Sequence, residues 1–281
     1  MKINFIADHF VEQVLGGGEL NNEEFIKVCV SNGHDVKKNN SHLIDVDYLK
    51  SNLNSKFVIG NFVNLSENCK DFLTEHAEYV IYEHDHKYIK NRNPAVYDNF
   101  IAPKNMIVNF ELYKNSKAVL CQSGFHAKIL EKNLKTGNIV NLSGNLWSLQ
   151  SIEKMRELSK EDKLDKYSIM NSNIPHKNTA DAIRYCRAKG LEFELINMCS
   201  YFDFLERLSK NEKFLFLPKT PETLSRIVVE ARMMGIKVTT NNLVGATGEG
   251  WFKFKGAELV DIMVDKRIEI PDKILGFFEN A

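Results

Sequence analysis

Cysteine is scarce in this sequence. Its five residues, Cys29, Cys69, Cys121, Cys186 and Cys199, are odd in number and scattered, with no Cys-x-x-Cys pair among them. That pattern argues against a disulfide framework or a zinc finger and reads as reduced thiols in a cytoplasmic protein. Long apolar runs are missing too: none approaches the roughly 20 residues of a membrane helix, so no transmembrane segment is expected. The start, Met1-Lys2-Ile3-Asn4-Phe5-Ile6-Ala7-Asp8, is charged again too early for a signal-peptide core. Neither sign of charge is in excess, with 37 basic and 37 acidic side chains balanced within each half of the chain. A basic nucleic-acid arm and an acidic tail are thereby excluded. Tryptophan occurs only at Trp147 and Trp251, which read as packing anchors.

What is present is a chain of 281 residues, 43% hydrophobic, enough for two cores of roughly 140 residues each. Short apolar runs alternate with amphipathic stretches almost from end to end. Lys2–Asp8, Phe57–Gly60, Tyr79–Tyr82, Ala118–Cys121 and Ile139–Leu142 read as strands in the first half. Tyr167–Met170, Glu192–Asn197, Phe214–Leu217 and Lys237–Thr240 follow in the second. Helical patterns lie between them, the last near 257–264. Strands alternating with helices mean βαβ units and parallel sheets. The expected fold class is therefore α/β, with two doubly wound Rossmann-like domains, 1–148 and 149–281, facing a cleft. Ligands of such sheets bind beyond the carboxyl ends of the strands, which directs attention to residues that follow strands.

Leu15-Gly16-Gly17-Gly18-Glu19-Leu20 lies between the first strand and the first helix. Three glycines allow close approach of backbone to a ligand, and a helix N-terminus favours an anion; the plain alternative is a flexible connection. The segment matches neither a GxGxxG fingerprint nor a Walker loop. Pro221-Glu222-Thr223-Leu224-Ser225-Arg226-Ile227-Val228-Val229-Glu230 follows an apolar strand, with Pro221 at the expected first position of a helix over 221–234. Glu230 would lie about 80° around that helix from Glu222, placing both carboxylates near one side, suited to sugar and ribose hydroxyls. The competing explanation is a glutamate complementing the helix dipole and a solvated one. In Tyr82-Glu83-His84-Asp85-His86-Lys87, His86 is the expected cleft residue with Asp85 as base or orienter, and His84 is a close rival. An HxH metal site is the other functional reading, but no third ligand is identifiable by spacing. Asp45-Val46-Asp47 is formally a DxD metal motif yet reads as an acidic helix start. Lys87, Tyr88, Lys90 and Arg92 form a basic stretch that a solvated loop explains equally well.

The order of these segments resembles the GT-B glycosyltransferases, most closely the retaining family-4 group. The likeness rests on Glu222 and Glu230 as an E-x7-E pattern, on Glu230-Ala231-Arg232-Met233-Met234-Gly235 with the strand after it, and on Gly245-Ala246-Thr247-Gly248-Glu249. It extends to the glycines at 16–18, to Gln122-Ser123-Gly124-Phe125-His126, and to Asn173-Ile174-Pro175-His176-Lys177-Asn178. The resemblance implies transfer of a sugar from a nucleoside-diphosphate sugar to an acceptor hydroxyl, with retention and without a metal or resident cofactor. It implies that Glu230 holds the donor ribose, that Glu222 lies near the transferred sugar, and that Lys177 neutralises the diphosphate. It further implies that Gly17, Gly18 and the backbone of Leu224, Ser225 and Arg226 approach the phosphates, and that His86, Asp85 and Glu222 are catalytic.

The sequence also departs from that pattern. The family's arginine, five or six residues before the lysine, is replaced by the neutral Ser172 and Asn171, and the glycine after the first glutamate is lost. Arg226 or Lys219 would supply the missing contact, or the chain would be a non-catalytic GT-B-like module that binds nucleotide, glycan or a partner. A sugar-nucleotide epimerase or phosphorylase is a further rival. The acceptor stays open among glycan, lipid, protein and modified DNA base. The expected end soon after Phe277-Phe278, without a long C-terminal helix, leaves either a less rigidly hinged cleft or one braced by a second copy in a homodimer.

Overall fold

The computed structural model describes residues 1–279 and divides into two compact units, Met1–Leu146 with Lys266–Ala281, and Trp147–Asp265. In the first unit, β1 (Lys2–Ala7), β2 (Asp35–Asn40), β3 (Lys56–Ile59), β4 (Tyr79–Glu83), β5 (Val119–Cys121) and β6 (Ile139–Asn141) form a six-stranded sheet in the order β2-β1-β3-β4-β5-β6. Every pairing is parallel. Between the strands run α1 (Gly17–Ser31), α2 (Val46–Ser51), α3 (Glu67–His76), α4 (Phe110–Asn115) and α5 (Gly124–Leu134). The second unit opens with α6 (Leu149–Leu158), followed by β7 (Leu164–Met170), α7 (Thr179–Ala188), β8 (Phe193–Ile196), α8 (Tyr201–Ser209), β9 (Asn211–Phe216), α9 (Arg226–Met233) and β10 (Lys237–Thr240). Its four strands are likewise parallel, in the order β10-β9-β7-β8. The last helix, α10, spans Ala257–Glu279.

Strand alternation sorts the core. Ile6, Phe57, Ile59, Tyr79, Ile81, Val119 and Cys121 pack into one apolar cluster. Their neighbours Phe5, Ala7, Val58, Val80, Tyr82, Ala118 and Leu120 pack into another, as period-two side chains on a sheet covered on both faces must. The second unit repeats the rule, with Phe214 and Phe216 in one cluster and Leu215 in the other.

Asp45-Val46-Asp47 begins α2 as the acidic helix start read from the sequence, with Asp45 as N-cap, its carboxylate accepting the Tyr48 N–H at 2.7 Å. Two other elements differ from the sequence expectation. The final helix runs to Glu279, past Pro271, and from Lys266 onward counts with the first unit. A proline inside a helix costs about 3 kcal/mol. Burial of Ile270, Ile274, Leu275 and Phe278 in the first unit's core contributes roughly 1.5–3 kcal/mol each and outweighs it. Finally, α9 begins at Arg226 rather than at Pro221. Glu222 N–H donates to the Leu243 carbonyl (2.8 Å), Gly245 N–H to that of Glu222 (2.9 Å) and Ala246 N–H to that of Leu224 (3.0 Å). These bonds take the backbone groups that a helix over 221–225 would use.

Candidate functional site

In each sheet one gap separates strands whose connections leave in opposite directions, and ligands of open α/β sheets bind at such a gap. In the second unit the chain passes from β7 outward to β8, then returns to β9 on the other side of β7. The loops after β7 and β9 carry Lys177 and Glu222. The Lys177 ammonium lies 2.8 Å from Glu222 Oε1, and Asn178, in left-handed conformation, donates its amide to the Leu217 carbonyl at 2.8 Å. Both charged side chains keep some solvent exposure, 23% and 14%, so the pair can open to a ligand. Lys219 is tied through its own N–H to the His176 carbonyl (2.8 Å).

The segment leading into α9, and α9 itself, hold the other residues in this unit that the sequence nominated. Leu224 is buried in the core. Ser225 precedes α9 with a left-handed backbone, and the amides of a helix's first turn have no intrahelical acceptor. Glu230, one turn further along, is 3% exposed. Trp147 Nε1–H and the Tyr201 hydroxyl donate to its Oε1 at 2.9 and 2.8 Å. Arg226 Nε lies 3.7 Å from that oxygen, and its guanidinium covers the Trp147 ring at 4.5 Å. Burial, and then the Glu230 charge, push the Tyr201 hydroxyl above the ordinary phenol range, so it remains a donor. The geometric argument that joined Glu222 and Glu230 on one ideal helix does not hold, because Glu222 is in extended, bridge-forming backbone.

In the first unit the corresponding gap lies between β1 and β3. The loop after β1 ends in the glycines: Gly16 is the N-cap of α1, and Gly17 and Gly18 are in its first turn. The loop after β3 is fastened to β1 by Asp8, whose carboxylate accepts Val63 N–H (2.9 Å) and Asn64 N–H (3.0 Å). A Cβ on Gly18 would stand 3.6 Å from the His84 ring. His84 follows β4, and both ring nitrogens are engaged: Nε2 by Asn22 Oδ1 at 2.5 Å, Nδ1 by the Gln122 amide.

The structure thus places His84 against the glycine loop and His86 elsewhere. His86 is buried, its Nδ1 3.1 Å from the Tyr88 hydroxyl and its Nε2 without a partner, packed edge-to-face on His126 at 5.1 Å. Burial, and then the neighbouring His126, lower its pKa well below the ordinary value. The reason is strand geometry followed by a bend: alternation ends with β4 at Glu83, so 84 and 86 need not share a side. Asp85 is bound by Lys87 (2.8 Å) and Arg92 (2.9 Å). Lys87 also meets the fully buried Glu83 at 2.5 Å, which accepts the Tyr113 hydroxyl as well. Opposing burial, the charges of Lys87 and Arg92 hold the Asp85 carboxyl below the usual carboxylate range, so it is an ionised anchor. Sequence reasoning missed Tyr201 and Asn22 and gave Gln122 no role of its own; a lone polar side chain carries no signal of its partners.

No protein-family model matches the sequence, and no curated protein does. Solved structures match over nearly the whole chain. Sucrose-phosphate synthase from Thermosynechococcus elongatus aligns with 100% of this chain and 100% of its own, at 9% identity and TM-score 0.66. The catalytic domain of starch synthase IV from Arabidopsis thaliana, bound to ADP and acarbose, covers 97% and 92% at 9% identity and TM-score 0.58. HepE of Anabaena, in complex with UDP and glucose, covers 97% and 90% at 13% identity and TM-score 0.55. The architecture, two parallel Rossmann-like sheets of six and four strands, is the GT-B fold.

Proposed function

We propose that this chain is a glycosyltransferase that moves a sugar from a nucleoside-diphosphate sugar to an acceptor hydroxyl. The observation that carries the reading is the meeting of Lys177 and Glu222 at 2.8 Å, beyond the carboxyl ends of β7 and β9 and beside the start of α9. A cation and a helix N-terminus there suit the two charges of a departing diphosphate. An adjoining carboxylate suits sugar hydroxyls, since it accepts several hydrogen bonds. The GT-B fold, shared with proteins solved with UDP or ADP, supports the same assignment.

In this reading the second unit takes the donor: Glu230 holds the ribose, and Leu224, Ser225 and Arg226 present backbone to the phosphates. The first unit takes the acceptor, with Gly17 and Gly18 allowing close approach. His84 replaces His86 as the histidine at the reacting end, and Asp85 fixes the loop that carries it. Both nitrogens of His84 are occupied, so its contribution is position rather than a free lone pair. The reaction is proposed to proceed with retention and without a divalent ion, Lys177 doing the charge work.

Calorimetry against UDP-, GDP- and ADP-sugars tests this, followed by product analysis with and without a chelator. Binding of one donor class and chelator-resistant turnover are expected; silence with every donor sinks the enzymatic claim. The neutral Asn171 and Ser172 favour one second reading, a non-catalytic module, which predicts nucleotide or glycan binding with no turnover against any acceptor.

A further inference from the structure

Ser225 is unfavourably placed in two ways. Its backbone is left-handed, φ +73° and ψ 85°, a region that glycine enters without penalty and serine does not. Its hydroxyl is buried and has no hydrogen-bond partner, in a residue 7% exposed. Yet Ser225 stands at the N-cap of α9, where a serine ordinarily accepts a bond from an amide two or three residues on. Ser66, Ser123, Ser148 and Ser200 each make that bond, at 3.3, 3.1, 3.0 and 3.3 Å, and all four have the extended backbone that capping requires.

The left-handed turn is what leaves the Ser225 hydroxyl over, and the turn cannot relax. Glu222 and Leu224 are pinned by three backbone bonds to residues 243–246, and Val228 and Val229 amides both bond the Ser225 carbonyl, at 3.1 and 3.3 Å. A strained residue with an unsatisfied donor is costly in a resting protein. It gains a use when an acceptor arrives at the same helix end.

We propose that the Ser225 hydroxyl is a hydrogen-bond donor to the diphosphate of the sugar nucleotide, in place of the basic side chain that Asn171 and Ser172 do not provide. This rests on the functional reading above. The hydroxyl joins the first-turn amides of α9 and the Lys177 ammonium, and the anion satisfies a group that the protein alone leaves unpaired.

Two variants separate the strain from the hydroxyl. Ser225→Gly removes both; Ser225→Ala keeps the strain and removes the hydroxyl. Affinities for UDP, GDP, ADP and inorganic pyrophosphate would be measured by calorimetry, alongside melting temperatures without ligand. Both variants are expected to bind the preferred nucleotide and pyrophosphate about tenfold more weakly. Ser225→Gly, which relieves both the strain and the unpaired hydroxyl, is expected to melt about 2 °C higher than the wild type, and Ser225→Ala, which relieves only the hydroxyl, to rise by less. Undiminished affinity in both variants, with nucleotide binding intact in the wild type, overturns the role of Ser225 and leaves the functional reading standing. Ser225-dependent binding of pyrophosphate without any nucleotide binding does the reverse. A wild type that binds neither ligand overturns both, and a Ser225→Gly protein that melts lower overturns the strain argument.

Discussion

Lys177 and Glu222, 45 positions apart in sequence, form an ion pair of 2.8 Å that joins the loops after β7 and β9. The pair is partly exposed, so its worth to folding is at most about 1 kcal/mol. If the proposed function holds, the Lys177 ammonium is worth more to a bound diphosphate, because a charge-assisted bond contributes roughly 1.5–3 kcal/mol. Lys177→Ala should therefore weaken nucleotide binding about 30-fold while changing the melting temperature by only a few degrees. Calorimetry and thermal melts on one preparation decide it; a large loss of stability with unchanged affinity would make the lysine a structural residue.

Glu230 offers a second separation. Trp147 and Tyr201 both donate to its Oε1, and the oxygen's position depends on them. Tyr201→Phe deletes one hydroxyl from a buried site and should cost about 1 kcal/mol of stability, with Glu230→Gln coupled to it. A double-mutant cycle by urea denaturation measures that coupling, and strictly additive effects would show that the bond contributes nothing.

The fold was legible because parallel strands buried on both faces read as short apolar runs: β3, β4, β5 and β9 all lie where such runs predict them. β2 escaped, since Asp35-Val36-Lys37-Lys38-Asn39-Asn40 is polar and pairs with β1 alone. The far half of α10, past the expected end near 264, escaped, and only its packing partners show why Pro271 is tolerated within it. At the site, Lys177 and Glu222 could be nominated one by one. That they touch follows from strand order, which no local pattern encodes. His84 and His86 were inseparable for a similar reason, as the bend after Glu83 breaks the alternation that ranks them.

Buried charge in the first unit gives the next expectation. Lys87 is 1% exposed and Glu83 fully buried, 2.5 Å apart. Lys87→Met leaves Glu83 and Asp85 without their shared cation, and breaking a buried pair in this way costs roughly 3–5 kcal/mol. Lys87→Met with Glu83→Gln should recover part of that loss. Denaturant midpoints would show it, and a double variant as unstable as the sum of the singles would contradict it.

A chain ended at Asp265 removes Ile270, Ile274, Leu275 and Phe278 from the core of the first unit. At about 1.5–3 kcal/mol each, their loss is comparable with the whole stability of a domain, about 5–15 kcal/mol. The shortened chain should lose the cooperative unfolding of the first unit while Trp147 and Trp251 in the second unit still report a transition. An unchanged melting profile would show that the tail is dispensable.

Acid should draw stability from the first unit through His126, against an opposing contribution from Glu83. His126 is fully buried, donates Nε2–H to the Asp85 carbonyl at 2.9 Å, and burial lowers its pKa to about 4. An unfolded histidine titrates near 6.5, and each pH unit separating the folded from the unfolded value is worth about 1.36 kcal/mol. As pH falls from about 6.5 towards 4, the unfolded chain takes up a proton that the folded one refuses, and stability drops by about 3 kcal/mol. Glu83 acts with the opposite sign in an overlapping window, since burial raises its pKa to about 7 against the pull of Lys87; its protonation adds stability as pH falls. The two are separated by difference. Between pH 6.5 and 4 the wild type should lose about 3 kcal/mol more than His126→Gln, which keeps the Glu83 contribution and removes the imidazole. Parallel stability curves for the two proteins in urea would mean that His126 takes its proton as readily folded as unfolded, and its burial would then have no part in the acid response.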